Sequence, residues 1–121
     1  MPKFGPKSRE NLKTCHQDLQ LLFNTVVREF DCSVTDGHRT AADQTAAFRA
    51  GKSKAKWPES KHNKNPSMAV DVVPYPVDYE DINRFYRFAG YVQAKAEMLG
   101  IKVKWGGDFE NLFDGPHWEL I

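Results

Sequence analysis

Long apolar runs are missing from this 121-residue chain, and no stretch offers the roughly 20 apolar residues that a membrane-spanning helix needs. The opening residues, Met-Pro-Lys-Phe-Gly-Pro-Lys, lack the apolar centre of a secretory signal, so the expectation is a protein that is made, and at first stays, in the cytosol without stable membrane association. Cysteine is scarce. Cys15 and Cys32 have neither the spacing of a zinc knuckle nor that of a redox pair, and reduced thiols packed as small hydrophobes are expected. An excess of either charge is also absent: a formal net charge of +1 argues against a dedicated nucleic-acid or membrane-surface binder. Repeats and low-complexity tracts are lacking too, so residues 1–121 read as one domain with a single core and no separate second module.

What is present is an alternation of helical and extended patterns. Leu12, Cys15, Leu19, Leu22, Phe23, Val26, Val27 and Phe30 recur at three- and four-residue steps, predicting one long helix from about residue 9 to 30 with Ser8 as its N-cap. His16 and Asp18 fall off that stripe and read as solvated. Cys32 to Thr35 reads as a short strand. Thr40 with Asp43 predicts a capped helix from Ala41 to Ala50 that Gly51 ends. Six basic residues against one acid between Arg49 and Lys64 read as a solvated loop in preference to a groove wall. A central strand is expected over Ala69–Val73, then a second helix opening at Asp78–Asp81, with Ile82, Phe85, Tyr86, Ala89, Val92, Ala96 and Leu99 buried and Gly100 as its cap. Strands at Ile101–Trp105 and His117–Ile121 complete the pattern. The order suggests an α+β fold, a small antiparallel sheet covered by helices.

Three places carry candidate chemistry. Asp71 interrupts the apolar run Met68–Val73, where a carboxylate needs a positive partner. His62 lies in the polar loop before that run, and His117 opens the last strand. Two imidazoles and one carboxylate are a set that holds a catalytic zinc with one position left open. Asp114, three residues before His117 across a Gly-Pro turn, is placed to accept a proton. Glu119 shares a strand face with His117 and reads either as a residue orienting that imidazole or as a surface acid. Arg39, at a strand-to-helix junction, reads equally as an oxyanion or carboxylate partner and as a surface guanidinium. Spacing alone does not separate this from a protein without metal. His62-Asn63 suggests an HNH nuclease element, but the second Asn/His pair and a basic surface are missing.

The stretch Ser60–Pro76, SKHNKNPSMAVDVVPYP, resembles the SxH...AxD element of the LAS-type zinc peptidases, which include VanY-like D-Ala-D-Ala carboxypeptidases and phage L-alanyl-D-glutamate endopeptidases. GHRTAADQTAAFRAG and KWGGDFENLFDGPHWEL resemble the same family's Arg...Gln and WGGDW...DxxHxE elements, in the same order. The resemblance implies a hedgehog/D-Ala-D-Ala peptidase-like fold and one zinc ion per chain on His62, Asp71 and His117. It also implies Asp114 as base and Arg39 as the residue stabilising the substrate carbonyl. Ser60, Gln44, Trp105 and Glu119 fall in the matched motifs as residues that support the ligands or touch substrate. Three departures accompany it: two extra residues between His62 and Asp71, Phe109 in place of a Trp, and Asp rather than Glu as the base. The last favours the endolysin branch. The implied function is therefore a phage-type endolysin cutting the peptidoglycan stem peptide at L-Ala–D-Glu. It would be a monomer that accumulates in the host cytoplasm and reaches the periplasmic wall after a holin opens the membrane. The alternatives are a D-Ala-D-Ala carboxypeptidase on the same site and a non-catalytic, hedgehog-like zinc module.

Overall fold

The computed structural model describes residues 1–121. Helices α1 (Pro6–Lys13) and α2 (Gln17–Val26) precede strand β1 (Cys32–Asp36) and helix α3 (Ala41–Arg49). Strand β2 (Ala69–Pro74), helix α4 (Ile82–Leu99) and strands β3 (Val103–Trp105) and β4 (His117–Leu120) follow. The four strands form one antiparallel sheet in the order β1-β2-β4-β3, so the α+β expectation holds with β2 internal. No helix is long and apolar enough to cross a membrane.

The expected first helix is two. Between α1 and α2 the backbone leaves the helix to bond the loop ahead of β2: Ser67 N–H donates to Thr14 O at 2.9 Å, and His16 N–H donates to Ser67 O at 2.8 Å. His16 is not an idle surface residue, because its Nδ1 accepts from Asp18 N–H at 3.0 Å and caps α2. The apolar period runs on across the break, since Cys15 and Leu19 stay buried, and periodicity alone could not reveal it. Ser8 lies inside α1, which Gly5 and Pro6 begin, and its hydroxyl accepts the Val34 N–H at 3.0 Å. Helix α4 starts at Ile82 with Asp81 as N-cap, so Asp78–Asp81 precede the helix instead of forming its first turn. Its buried stripe is Phe85, Phe88, Ala89, Val92 and Ala96, whereas Ile82, Tyr86 and Leu99 are exposed. Gly100 ends α4 at φ +72, a left-handed conformation that suits glycine.

Strand alternation sorts core from chemistry. Val70, Val72, Trp118 and Leu120 are buried in the core with α2 and α4, where the Phe23 ring meets Trp118 edge-on at 6.3 Å and Trp105 stacks on Trp118 at 6.1 Å. The intervening residues, Asp71 on β2 and His117 and Glu119 on β4, therefore face the other side of the sheet. Cys15 and Cys32 are free and buried, and burial pushes both thiols up to about 12. Neither should react with a thiol reagent at pH 8 in the native protein, and both should react after denaturation; rapid native labelling would contradict this packing.

Candidate metal centre and cleft

The antiparallel register of β2 and β4 sets Asp71 directly opposite His117. Cross-strand neighbours on one face lie about 5 Å apart at Cβ, close enough for their side chains to share a ligand. His62 arrives from a short 3-10 turn, Lys61–Asn63, fixed by a capping box: Ser60 Oγ accepts from His62 N–H at 3.1 Å and Asn63 Oδ1 accepts from Ser60 N–H at 3.1 Å. Three atoms then converge. His62 Nε2 lies 3.2 Å from Asp71 Oδ1 and 3.3 Å from His117 Nδ1, and His117 Nδ1 lies 3.4 Å from Asp71 Oδ1. This triangle could hold a metal ion. Ligands at 2.0–2.2 Å on a tetrahedral ion sit about 3.3–3.6 Å apart, so the donor spacing fits with little movement.

Both imidazoles are held in the tautomer a metal requires. His62 Nδ1–H donates to Gly37 O at 2.7 Å, and His117 Nε2–H donates to Glu119 Oε1 at 2.8 Å, which leaves the other ring nitrogen of each facing the triangle. Glu119 is itself steadied by Lys61 Nζ at 3.4 Å, and Lys61 also donates to Leu120 O. Arg39 fixes Asp71: its Nη2 donates to Asp71 Oδ2 at 3.2 Å, its Nε to Asp36 Oδ2 at 2.5 Å and its Nη1 to Gln44 Oε1 at 3.3 Å. Oδ2 is thereby occupied, and Oδ1 is the oxygen that meets the histidines. Fully buried Gln44 also donates to Ala55 O at 2.7 Å and Ser53 Oγ at 3.0 Å, tying α3 to the loop beyond it.

Electrostatics follow from this network. Burial alone would raise the Asp71 pKa, but hydrogen bonds from His117 and His62 outweigh it and hold the carboxyl well below its usual range. Burial alone would lower His117, yet its bonds to Asp71 and Glu119 push it up to about 9. Protonated, the ring donates to both carboxylates at once, to Asp71 through Nδ1 and to Glu119 through Nε2. Glu119 is lowered by the bond from His117. Asp114 lies 4.0 Å from His117 Nδ1, and burial, followed by the negative charge of Asp71, raises its pKa.

The triangle opens into a cleft of about 620 Å³ whose lining includes Arg39, Ser60, Phe109 and Asp114. Trp105 is not on its wall: it is buried, and its indole N–H donates to Gly115 O at 2.7 Å, holding the turn between Asp114 and His117. The same turn requires Gly106, where a Cβ would come within 2.2 Å of Asp114 O. Part of the basic segment is a cleft wall after all, since Lys52, Lys54 and Lys61 line it, and Lys54 reaches across to Asn111 O at 3.4 Å. Composition could not separate those lysines from Lys56, which lies over the Phe48 ring instead.

Compared with known proteins, the whole chain, residues 1–121, matches the model of the phage L-alanyl-D-glutamate peptidase family. The chain belongs to this family. It is 28% identical to the L-alanyl-D-glutamate peptidase of Escherichia phage T5 over 98% of both chains. It also superposes on the crystal structure of the Serratia marcescens L-Ala D-Glu endopeptidase ChiX with a TM-score of 0.83 and 34% identity, over 99% of this chain and 91% of that one. Family membership makes the chain a peptidase, in keeping with the resemblance read from its three motifs.

Within this peptidase fold, Gly37, Asp36 and Asn63 also support the site, in roles that their readings as a turn and as an HNH-like pair did not include. Gly37 acts through its carbonyl, which no motif reports. Asp36 anchors Arg39, and Asn63 was visible in principle, as the third residue after Ser60 in a capping pattern. Glu119→Ala should weaken metal affinity about 10- to 100-fold while leaving the fold intact, as removal of an imidazole's hydrogen-bond partner does. A chelator titration measures this, and unchanged affinity would make Glu119 a bystander.

Proposed function

We propose that the chain is a zinc-dependent endolysin that hydrolyses the L-Ala–D-Glu bond of the peptidoglycan stem peptide. The observation that carries this reading is the convergence of His62, Asp71 and His117, with Asp114 beside them, in a member of this family, at a cleft that His62, His117 and Asp114 line. Two neutral nitrogen donors and one carboxylate oxygen suit zinc better than calcium or magnesium, which prefer oxygen alone. Zinc held there would lower the pKa of a coordinated water towards about 7 and polarise the scissile carbonyl.

The remaining steps belong to side chains. Asp114 accepts the proton of the attacking water and passes it to the departing D-Glu nitrogen, and its burial makes it a stronger base than a solvated aspartate. Arg39 has used three of its five N–H donors, and the other two are available for the substrate oxygen as negative charge develops there. The nearness of Asp114 to the triangle favours catalysis over a purely structural zinc module, which has no need of a base. Accumulation in the host cytoplasm as a monomer, with access to the wall after holin action, belongs to the same reading.

Incubating the purified protein with murein sacculi tests the bond assignment. New amino groups on D-Glu, abolished by a chelator and restored by zinc, are expected. Release of free D-Ala would instead identify a D-Ala-D-Ala carboxypeptidase.

A further inference from the structure

Beside the cleft lies an apolar surface that none of the roles above uses. Tyr86 on α4 is about half exposed, and Tyr79, Ile82, Leu112 and Phe113 are exposed with it. These residues form one ledge. The Tyr86 and Phe113 rings lie 5.8 Å apart, and both pack on Trp105, at 5.2 and 5.7 Å. Ile82 precedes Tyr86 by one helical turn on the same face. Tyr79 packs on Phe85 at 6.3 Å, and Phe85 and Phe113 both crowd the space beside Gly115. The ledge is continuous with the catalytic turn, because Leu112 and Asp114 line the cleft and Phe113 stands between them in the chain. Contiguous exposed apolar surface on a small domain marks an interaction site, and rings already braced by Trp105 have little freedom left to lose on binding.

We propose that this ledge binds the glycan strand of peptidoglycan, with sugar rings stacked on Tyr79, Tyr86 and Phe113 while the stem peptide occupies the cleft. The inference rests on the L-Ala–D-Glu reading above. Covalent chemistry sets the reach: L-Ala is joined by an amide to the lactyl ether of muramic acid. Only one residue of extended chain, about 3.5 Å, and that short ether separate the scissile bond from the first sugar. The first sugar therefore lies within about two residues' length of the scissile bond, and Phe113 adjoins Asp114 in the chain. The opposite end of the substrate suits the ledge poorly. D-Glu and the diamino acid after it carry free carboxylates, which match Lys52, Lys54 and Lys61 of the cleft instead.

The test compares two substrates of the zinc-loaded full chain: an N-acetylated L-Ala-γ-D-Glu-diamino acid peptide, and the same peptide attached to disaccharide strands. The wild type should show kcat/KM about tenfold higher for the strand-linked substrate, and Tyr86→Ser and Tyr79→Ser should each remove most of that ratio, a loss on the scale of one aromatic contact. Peptide-free glycan strands should bind the wild type in a calorimetric titration and bind Tyr86→Ser several-fold more weakly. Equal kcat/KM for the two substrates in the wild type, with no strand binding, would overturn the proposal. Loss of the same factor on both substrates in the variants would also overturn it, by making the rings merely structural. So would Tyr86-dependent binding to lipid vesicles or self-association without any glycan effect. Failure to cleave either substrate would defeat the peptidase reading instead, and strand binding would still decide the ledge.

Discussion

His117→Ala should yield a folded protein that retains no metal and has no measurable murein hydrolase activity. The residue supplies one corner of the donor triangle through Nδ1, and its removal also strands Glu119 and Asp71 without their shared partner. Loss of metal and of turnover together is the signature of a ligand, and metal analysis beside a sacculus assay reads both. The metal-free wild type should show a related pH dependence. His117 is raised from 6.5 to about 9 in the folded state, so its contribution to stability is fully present below pH 6.5 and is lost as the pH rises through about 9. The carboxyls of Asp71 and Glu119 are shifted down, so their contribution is present above the ordinary carboxylate range and is lost as the pH falls below that range through the lowered folded-state values. Thermal unfolding of the chelated protein should therefore shift to lower temperature between pH 6.5 and 9, and zinc should reverse the shift. A flat profile across that interval would show that the imidazolium does not hold the empty site together.

Asp114→Asn should behave differently, keeping one metal ion per chain while kcat falls by roughly 10²- to 10⁴-fold, the usual contribution of a positioned general base. The side chain lies 4.0 Å from His117 Nδ1, outside the tight triangle of ligand atoms, and is held by the turn that Trp105 and Gly106 fix. The amide cannot take the proton but preserves the shape of the cleft. Paired measurements of metal content and single-turnover rate separate this residue from His117, and full activity in Asp114→Asn would remove it from the mechanism.

The site was more legible in the sequence than the fold around it. Asp71 stands out because a carboxylate inside an apolar strand demands a partner, and strand alternation alone puts His117 and Glu119 on one face. The supporting bonds were harder to read. Gly37 contributes a main-chain carbonyl, and the double duty of Arg39, held by Asp36 and Gln44 while bonding Asp71, depends on three segments meeting in space. The break at Thr14–His16 is hidden because buried residues keep their helical period across it, while the backbone contact to Ser67 that ends α1 comes from a segment distant in the chain. Tyr86 illustrates the converse: it fits the apolar period of α4 yet lies exposed, since the buried stripe is centred on Phe85, Phe88, Ala89 and Val92.

Native mass spectrometry of the protein exchanged into zinc tests the core of this account most directly. One zinc per chain is expected in the wild type and in Asp114→Asn, and none in His62→Ala, Asp71→Ala or His117→Ala. A wild type that binds no zinc, or one that cleaves murein undiminished after all metal has been stripped, would contradict it.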